Sequence, residues 1–365
     1  MGIKMKIKNL GLLFGLIGVT FTGYAADKYN CKKECPETPR ADCKSLCFAG
    51  PNLECDRNLD VMGAALFAQF RVDNSELALE TSSNTNFVYP ENAVGIQSPE
   101  KASWGFKVGL GWKTGHDDWK LAARYTWLRA ISDGQFQPVY GGAYFPVLYT
   151  NSHAASGESF QNLEGGNYTW LSNLNLYLIR PTLQTALLEI SPYCGVDFTV
   201  TRRRETVTFT DLSSGESTYS DGGYFRTYNR NLWWGVGPMA GVSTSWYVGF
   251  DVSIVAETYL ALTYGQAQSF SDTTEYQFDQ QNYSTSNYVI NNDFYQFSPE
   301  MYTQLGLMWN HTFDNEKNAF SFKVAYENSY YFQANKRIQN DIRYRVAESG
   351  SMAYQGLVLQ GQFDF

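Results

Sequence analysis

From residue 60 onward, large apolar side chains recur at every second position. Between Trp104 and Trp112 they fall on even positions, and between Trp119 and Trp127 they fall on odd positions, with polar or small residues between them. A side-chain period of two is typical of a β-strand that has one apolar and one polar face. The pattern predicts ten strands, at 61–72, 104–112, 119–127, 168–179, 188–200, 232–246, 248–264, 297–309, 320–332 and 353–365.

The connections between these strands alternate between long and short. Long ones cover 73–102, 130–166, 202–231, 266–296 and 333–352, whereas short ones cover 113–118, 180–187, a corner near Tyr247, and 310–319. Outer-membrane barrels have short periplasmic turns and long outer loops, whereas nothing in a soluble β-sandwich sorts its loops by length. Residues 60–365 are therefore predicted to form an all-β, transmembrane, antiparallel up-and-down β-barrel of about ten strands, with both ends in the periplasm. Extra strands at Tyr140–Tyr149 or Thr206–Thr210 give a twelve-stranded alternative.

Tryptophans are spaced along the predicted strands at about one membrane thickness. Trp104 and Trp112 are eight residues apart, as are Trp119 and Trp127. Eight residues at about 3.3 Å each, tilted by roughly 40°, cover about 20 Å, close to the apolar band of about 25 Å in such barrels. A soluble core has no reason to space tryptophans in this way. We expect a periplasmic girdle of Trp112, Trp119, Trp246 and Trp309, and an outer girdle of Trp104, Trp127, Trp170 and Trp234.

The first residues have the features of an export signal. Lys4, Lys6 and Lys8 precede the apolar stretch 10–22, and Gly23 and Ala25 are small residues at the cleavage positions. We expect a signal peptide at 1–25, because the apolar run is too short to span a bilayer. The chain ends on Phe365, after aromatic and polar residues in alternation, which looks like the signal read by the barrel-assembly machinery. The bacterial outer membrane is thus the predicted location.

Overall composition narrows the class of protein further. The 365 residues contain 18% charged and 16% aromatic residues, and the formal net charge is −8. A mean hydropathy of −0.35 excludes a polytopic helical membrane protein. Removal of the three lysines in the signal peptide leaves a charge of −11, which argues against nucleic acid as a partner. Outer-membrane lipid and lipopolysaccharide are the expected surroundings.

Five of the six cysteines lie in one short stretch before the first strand. They are Cys31, Cys35, Cys43, Cys47 and Cys55. In an exported protein this spacing favours a disulfide framework in a periplasmic segment at 26–59. Metal binding by these thiols is the less favoured alternative, because no histidine is near. The odd thiol can pair with Cys194, with another copy of the chain or with another envelope protein; Cys194 otherwise serves as a small apolar residue.

Charged residues between the apolar positions of the strands are expected to face the inside of the barrel. Their charges nearly balance, so they can pair across a filled interior or line a water-filled channel. A slight excess of acids favours cations. The predicted pore-lining residues are Arg71, Lys107, Lys120, Arg124, Glu189, Asp197, Asp251, Glu257, Glu300, Lys323 and Glu327.

Arg202, Arg203 and Arg204 form the only run of three basic residues after the signal peptide. They lie where the fifth strand is predicted to leave the outer leaflet. Arginine forks bind phosphate through paired hydrogen bonds, so the run is a candidate contact for lipid phosphate, and lipopolysaccharide in particular. A solvated loop start beside Glu205 is an equally good interpretation.

Two other classes of function compete with a pore. A surface protease needs a general base near a carboxylate at the outer rim. Only His153 falls in a predicted outer loop, and no acid is near it in sequence. We therefore expect no enzymatic activity, no catalytic residues, no cofactor and no metal site. Long loops rich in Tyr, Asn, Ser and Gly also suit an adhesin or a structural coat protein.

Several segments resemble the Legionella-type major outer membrane protein family of pore-forming barrels. They are Trp104–Trp112, His116–Lys120, Tyr125–Trp127, Trp234–Gly241, Leu260–Gly265 and Tyr326–Tyr331. The resemblance covers roughly residues 60–365 and leaves out the cysteine-rich segment. It implies an abundant surface porin that passes small hydrophilic solutes or ions by diffusion, and it supplies no catalytic residues. A porin is therefore the expected function, and a disulfide-linked envelope protein or adhesin without an open pore is the alternative.

Overall fold

A computed structural model describes residues 59–73, 75–81, 94–97, 101–114, 119–136, 143–146, 160–185, 187–212, 224–279, 282–313, 318–340 and 345–365. All regular structure in these residues is β-strand. The strands are β1 (Leu59–Val72), β2 (Glu76–Thr81), β3 (Val94–Gln97), β4 (Ala102–Lys113), β5 (Lys120–Phe136), β6 (Ala143–Pro146), β7 (Phe160–Ile179), β8 (Leu183–Gln184), β9 (Leu188–Leu212), β10 (Tyr224–Gly249), β11 (Val252–Asp279), β12 (Asn282–Phe313), β13 (Asn318–Asn340) and β14 (Arg345–Asp364).

Ten of these strands close into an antiparallel barrel. The neighbours around the wall are β1, β4, β5, β7, β9, β10, β11, β12, β13 and β14, and β14 pairs back onto β1. Backbone hydrogen bonds complete this closure at one end, where the amide of Phe365 donates to the carbonyl of Leu59 at 3.0 Å and the reverse bond measures 3.2 Å. The other four described strands, β2, β3, β6 and β8, are short additions to the wall.

The predicted ten-stranded barrel is confirmed, and every predicted strand corresponds to one strand of the wall. The twelve-stranded alternative is wrong. Residues 206–210 continue β9 rather than form a separate strand, and β6, which falls within 140–149, pairs along its length with β2 and has only one backbone pair with the wall, Tyr144 with Phe160 of β7. Most strands extend beyond their predicted outer limits: the strand predicted at 297–309 is β12, which has 32 residues.

The register around the wall gives the stagger of the barrel. The series of cross-strand partners that begins at Met308 of β12 passes once through all ten strands. It returns to β12 at Gln296, a displacement of twelve residues. Ten strands with this stagger tilt by roughly 40° and place the backbone about 10 Å from the axis. Tilted strands then rise by about 2.5 Å per residue along the axis.

The outward face of the wall is apolar, and the inward face is mixed. On β4, for example, Trp104, Leu110 and Trp112 point outward and are more than half exposed, while Lys107 points inward and is buried. This distribution is the reverse of a water-soluble protein, in which the large apolar side chains are the buried ones. It is the arrangement expected when the outer surface contacts hydrocarbon.

The connection between β10 and β11 is a two-residue turn, Phe250 and Asp251. Both residues have positive φ, of 54° and 59°, and Gly249 before them has φ 121°. Positive φ at both central residues is typical of the turns that join two strands with a right-handed twist. The tight corner predicted near Tyr247 is thus confirmed in kind, but it lies three residues further along.

In the described part of the chain, no helix is long and apolar enough to span a membrane. The predicted signal peptide at 1–25, most of the predicted periplasmic segment at 26–59 with its five cysteines, and His153 lie outside the described residues. These assignments stay predictions.

Candidate functional site in the barrel interior

Most of the predicted pore-lining residues occupy inward positions of the wall. The period-two alternation places the following side chains on the inside: Lys107, Lys120, Arg124, Glu189, Asp197, Glu257, Glu300, Lys323 and Glu327. Near the end of the barrel where Leu59 and Phe365 meet, Lys120 pairs with Asp60. The others, apart from Glu189, lie further into the barrel. Whether they line a conducting path stays a prediction.

Two of the predicted pore-lining positions need correction. Arg71 is exposed on the outward face of β1, together with Phe67, because the inward positions of this strand hold Leu66, Phe70 and Val72. The outer half of β1 therefore has its apolar face inside the barrel. The prediction for Arg71 assumed the opposite, with apolar residues outside and charged residues inside. Asp251 lies in the β10–β11 turn instead of on a strand, because β10 continues to Gly249.

The first group of interior contacts is centred on Glu327 of β13. It forms an ion pair with Lys107 of β4, and its exposed side-chain fraction is 0% against 3% for Lys107. The hydroxyl of Tyr302 and the amide of Gln304 also donate to Glu327 Oε2, at 3.0 and 3.3 Å. Lys323 Nζ donates to Gln304 Oε1 at 2.8 Å. This group therefore crosses from β4 to β12 and β13, three strands that do not all adjoin.

The second group surrounds Arg124 of β5. Its Nη1 donates to Glu257 Oε1 of β11 at 2.7 Å, and its Nε donates to Asn175 Oδ1 of β7 at 3.3 Å. The hydroxyl of Tyr193 donates to the same Glu257 oxygen at 2.9 Å. Three tyrosine rings lie 5.0 to 5.8 Å from the guanidinium carbon, within the range of cation–π attraction. They are those of Tyr177, Tyr259 and Tyr302.

The third group holds two buried carboxyl groups close together. Asp197 of β9 accepts from the amide nitrogens of Asn173, at 2.6 Å, and Asn175, at 2.5 Å. Thr199 Oγ1 lies 2.8 Å from Asp197 Oδ2 and 3.2 Å from Glu300 Oε2, so a single hydroxyl bridges the two acids. Both carboxyl groups are buried, at 0% and 1% exposure.

The three groups form one continuous polar network across the barrel. Asn175 belongs to the second and third groups, because it accepts from Arg124 and donates to Asp197. Tyr259 donates to Glu300 at 2.8 Å and stacks on Tyr302, with the ring centres 4.9 Å apart. Side chains from seven of the ten strands take part. Within the described residues, this part of the interior is therefore filled by hydrogen-bonded side chains rather than open.

A polar track continues from the network toward the far end of the barrel, along β7, β9, β10 and β11. Its buried inward residues are Thr169, Thr201, Arg203, Glu205, Asn229, Asn231, Ser269 and Ser271. Asn231 donates across the interior to Asn335 Oδ1 of β13 at 3.1 Å. Several polar atoms along this track have no hydrogen-bond partner in the described protein, among them Nε and Nη1 of Arg203 and Nδ2 of Asn229. Buried polar atoms of this kind normally bind water.

The opposite side of the interior is apolar. Phe70, Leu128, Tyr331, Tyr354 and Val358 belong to one buried cluster, which lies mainly on β1, β5, β13 and β14. The same cluster also includes Leu171, Trp233 and Ala267 of β7, β10 and β11, so apolar side chains reach the polar side of the interior at the level of Thr201.

Sequence reasoning missed the tyrosines and amides of the network. Tyr193, Tyr259 and Tyr302 each use a hydroxyl group inside the barrel. Tyrosine was counted with the large apolar residues, which assigns it to the outer surface. Its amphipathic character makes both faces acceptable. The available signal was parity: each of these tyrosines occupies the same alternate positions as a nearby acid, such as Glu257 beside Tyr259.

The predicted girdle tryptophans and Cys194 lie on the outside of the wall. Trp104, Trp112, Trp246 and Trp309 are exposed, whereas Trp119, Trp127, Trp170 and Trp234 are half-buried by their neighbours. Cys194 forms no disulfide with a described residue; it is exposed and lies opposite Leu178 and Ala240 on the adjoining strands. The role of these tryptophans as membrane girdles stays a prediction.

A closed antiparallel barrel with an apolar outer surface and a polar interior defines the class of outer-membrane β-barrel proteins. The chain belongs to the Legionella major outer membrane protein family: the family model described as Legionella pneumophila major outer membrane protein precursor matches residues 53–365. The resemblance noted in the sequence is therefore confirmed, and so is location in the bacterial outer membrane. No curated protein matches the chain at a significant level.

Three solved structures are similar to this chain at low identity. The outer membrane protease OmpT from Escherichia coli is 10% identical, with 86% of this chain and 98% of that chain covered and a TM-score of 0.38. Ail, the attachment invasion locus protein of Yersinia pestis, is 7% identical, with coverage of 85% and 99% and a TM-score of 0.22. The Pseudomonas putida toluene transporter TodX is 7% identical, with coverage of 85% and 89% and a TM-score of 0.23.

Proposed function

We propose that this protein is a porin for small ions and small hydrophilic solutes, whose pore is closed by side chains in the state described here. The observation that carries the proposal is the continuous network of charged and amide side chains through the membrane-level interior. Apolar side chains can also fill the interior of a barrel, but they cannot replace water around a permeating ion as charged and amide groups can. The side formed by Leu66, Tyr354 and Val358 is already filled in that way.

The energetics of buried charges support this proposal. Desolvation of an ion pair often cancels its attraction, so well-packed apolar residues in its place are frequently as stable or more stable. Lys107 and Glu327 are nevertheless almost completely buried, as are Asp197 and Glu300. A permeating ion loses part of its water shell, and buried charged groups can replace that water as the ion passes. We therefore attribute these buried charges to ion permeation.

Opening requires only that side chains change partners. Lys107 and Glu327 project from strands on different parts of the wall, and both end in flexible chains. When they separate, each can turn along the wall, and the remaining polar atoms of the network stay available to water. Within the network, Lys107, Arg124 and Lys323 oppose Asp197, Glu257, Glu300 and Glu327. The excess of one acid favours a weak preference for cations.

Ion conduction through single molecules tests the proposal. The purified barrel in planar bilayers is expected to give stepwise, short-lived conductance. The double variant Lys107→Ser with Glu327→Ser removes the ion pair that crosses the interior, and its steps are expected to be about twofold larger or more, and longer. The matched control is Lys120→Ser with Asp60→Ser, which removes an ion pair of the same kind near the end of the barrel. Its step size should stay close to that of the parent.

The result that overturns the proposal is silence of both the parent and the Lys107/Glu327 variant, when both are shown to be folded. The second candidate function would then be favoured, a surface coat or adhesin without a pore. One observation supports it: β9 to β12 contain 25, 26, 28 and 32 residues. A strand needs only about 9 to 11 residues to cross a bilayer, so much of this wall extends into the surroundings.

A further inference from the structure

The three consecutive arginines of β9 do not act as one group. Arg203 points into the barrel and is 4% exposed, whereas Arg202 and Arg204 point outward. The three residues therefore cannot contact lipid phosphate together as predicted, because successive side chains of a strand point to opposite faces. The two outward arginines gain other partners from the neighbouring strands.

Four outward arginines from three strands lie together on the outside of the wall. Arg204 is directly opposite Arg230 of β10 on one side and Tyr168 of β7 on the other. In the adjacent row, Trp170 of β7 lies between Arg202 of β9 and Arg129 of β5. We name these four residues the arginine patch: Arg129, Arg202, Arg204 and Arg230.

Aromatic rings hold the guanidinium groups of the arginine patch in place. Arg129 and Arg204 share the ring of Tyr168, at 5.0 and 5.8 Å from its centre. Arg202 lies 5.9 Å from Trp170, and Arg230 lies 5.4 Å from Phe270. A ring face attracts a cation and limits the rotamers of a long side chain, but it leaves the N–H donors at the edge of the guanidinium unused.

The arginine patch has an excess of positive charge, although Asp272 of β11 lies on the same outward face, opposite Tyr228 of β10. The ion pairs found among the described residues involve none of its four members. Like charges that lie directly opposite on adjacent strands are destabilising, and Arg204 and Arg230 are such a pair. An anion bound between them removes this repulsion, and arginine is the side chain best suited to hold one.

The height of the arginine patch on the wall indicates what kind of anion it meets. Outward residues of β9 are apolar or uncharged from Ile190 to Val200, and the next outward residue is Arg202. Eleven residues at about 2.5 Å of rise cover about 27 Å, the thickness of the apolar band. On β10 the corresponding face changes from Leu232 to Arg230 at the same boundary. The arginines therefore lie level with the headgroups of one leaflet, beside the hydrocarbon.

That leaflet is the outer one. Both ends of the wall's sequence, Leu59 and Phe365, lie at the opposite end of the barrel. At the other end β11 and β12 continue well beyond the arginine patch, and long outer segments with short periplasmic turns are typical of these barrels. The lipid that carries phosphate groups in the outer leaflet of a Gram-negative outer membrane is lipopolysaccharide.

We propose that the arginine patch is a binding site for the phosphate groups of lipopolysaccharide. Arg204 and Arg230 hold one phosphate between them by paired N–H donors, and Arg129 and Arg202 extend the contact along the next row. The apolar surface below, which includes Val200 and Trp234, contacts the acyl chains. A soluble phosphate would meet the arginines but not this surface, so the site is specific for a phosphorylated lipid.

The test counts lipid molecules that stay bound to the purified barrel. Native mass spectrometry is applied to the detergent-solubilised protein with added deep-rough lipopolysaccharide, in both its phosphorylated form and a chemically dephosphorylated form. The parent should retain the phosphorylated form and release the dephosphorylated form. The double variant Arg204→Ser with Arg230→Ser should bind the phosphorylated form about tenfold more weakly or worse, because two charge-assisted contacts are lost.

Two further variants keep this test decisive. Arg180→Ser is the matched control, since Arg180 also lies over a tryptophan ring, 5.6 Å from the centre of Trp119, but in a connection at the periplasmic end. It should bind as the parent does. Arg204→Lys with Arg230→Lys keeps the charge without the paired donors and should fall between parent and serine variant. Equal retention by parent and serine variant, equal retention of both lipid forms, or displacement of the lipid by millimolar inorganic phosphate overturns the proposal.

Discussion

At the scale of single residues, Arg124 connects the largest number of interior groups. It donates to Glu257 and Asn175, and its guanidinium lies near three tyrosine rings. Its side chain is 8% exposed and that of Glu257 is 15% exposed. Water therefore screens this pair only slightly, and each charge depends on the other for its solvation.

The replacement Arg124→Leu should destabilise the folded barrel by about 3 to 5 kcal/mol, because it leaves the Glu257 carboxylate buried without its ion-pair partner. The double variant Arg124→Leu with Glu257→Leu should regain most of this loss, since no buried charge is then left over. Equilibrium unfolding in guanidinium chloride, with the barrel reconstituted in phospholipid vesicles, measures both. A double variant that is less stable than the single one would show that the pair is strongly favourable in itself.

Parity along the strands predicted most of the interior charges but not the residues that they bind. Residues such as Lys107 and Glu327 alternate with apolar neighbours, so sequence alone places them inside. Tyr302, which contacts both, gives no signal by residue type, because its ring suits lipid and its hydroxyl suits the interior; only its parity with Glu300 points inward. Arg71 was misplaced for the related reason that β1 turns an apolar face inward near Phe70. Which of two faces is inside is decided by the rest of the barrel, not by one strand.

At the scale of elements, the existence and order of the ten strands could be predicted, whereas their outer limits could not. Within the bilayer the two faces of a strand meet different solvents, and the contrast shows in the sequence. Above the bilayer this contrast weakens: the outward face of β12 near Asn291 and Asp293 is polar. The period-two signal therefore ends with the membrane, while backbone pairing continues.

The β10–β11 turn gives a prediction at this scale. Phe250 adopts φ 54° and Asp251 adopts φ 59°, and a left-handed conformation costs an ordinary residue about 1 to 2 kcal/mol. Phe250→Asn with Asp251→Gly, the sequence preferred in such turns, should raise stability by about 1 kcal/mol. Unfolding in guanidinium chloride gives the difference.

The control for this turn is Gly249→Ala. Open space surrounds the position where its Cβ would lie, so steric crowding is not at issue, but φ at this residue is 121°. The alanine variant should therefore lose stability through its backbone alone, by about 1 kcal/mol or more. An unchanged midpoint in both variants would mean that the turn relaxes at little cost.

At the scale of the whole molecule, the wall separates two environments, and each strand contributes to both. The outer surface carries exposed apolar residues such as Leu110, Leu260 and Leu305, while the interior holds the polar network. Closure of the sheet was predictable because alternating short and long connections are typical of outer-membrane barrels, whose sheets are closed. The stagger of the wall was not, since it depends on the register of all ten pairs together.

Cys194 tests this separation directly. In a variant whose five N-terminal cysteines are serine, a charged maleimide should fail to label Cys194 in vesicles and should label it once the protein is unfolded. The reason is that a charged reagent does not enter hydrocarbon and therefore cannot reach an outward side chain at the level of the lipid. The control places a cysteine at Thr185, exposed in the turn before β9, in a Cys194→Ser background. It should react at once; rapid labelling of Cys194 in the folded barrel would contradict an outward face buried in lipid.

The twelve-residue stagger has a consequence for how permeability can change. Strand number and stagger together set the circumference of the barrel. Because adjacent strands are joined by rows of backbone hydrogen bonds, the wall cannot widen unless some of these bonds break. Under the proposed porin function, passage through the described interior is therefore controlled by side-chain rotamers, which interconvert far faster than whole strands move. Substitution of single side chains, by natural variation or by engineering, can therefore change the rate of passage without changing the circumference of the wall.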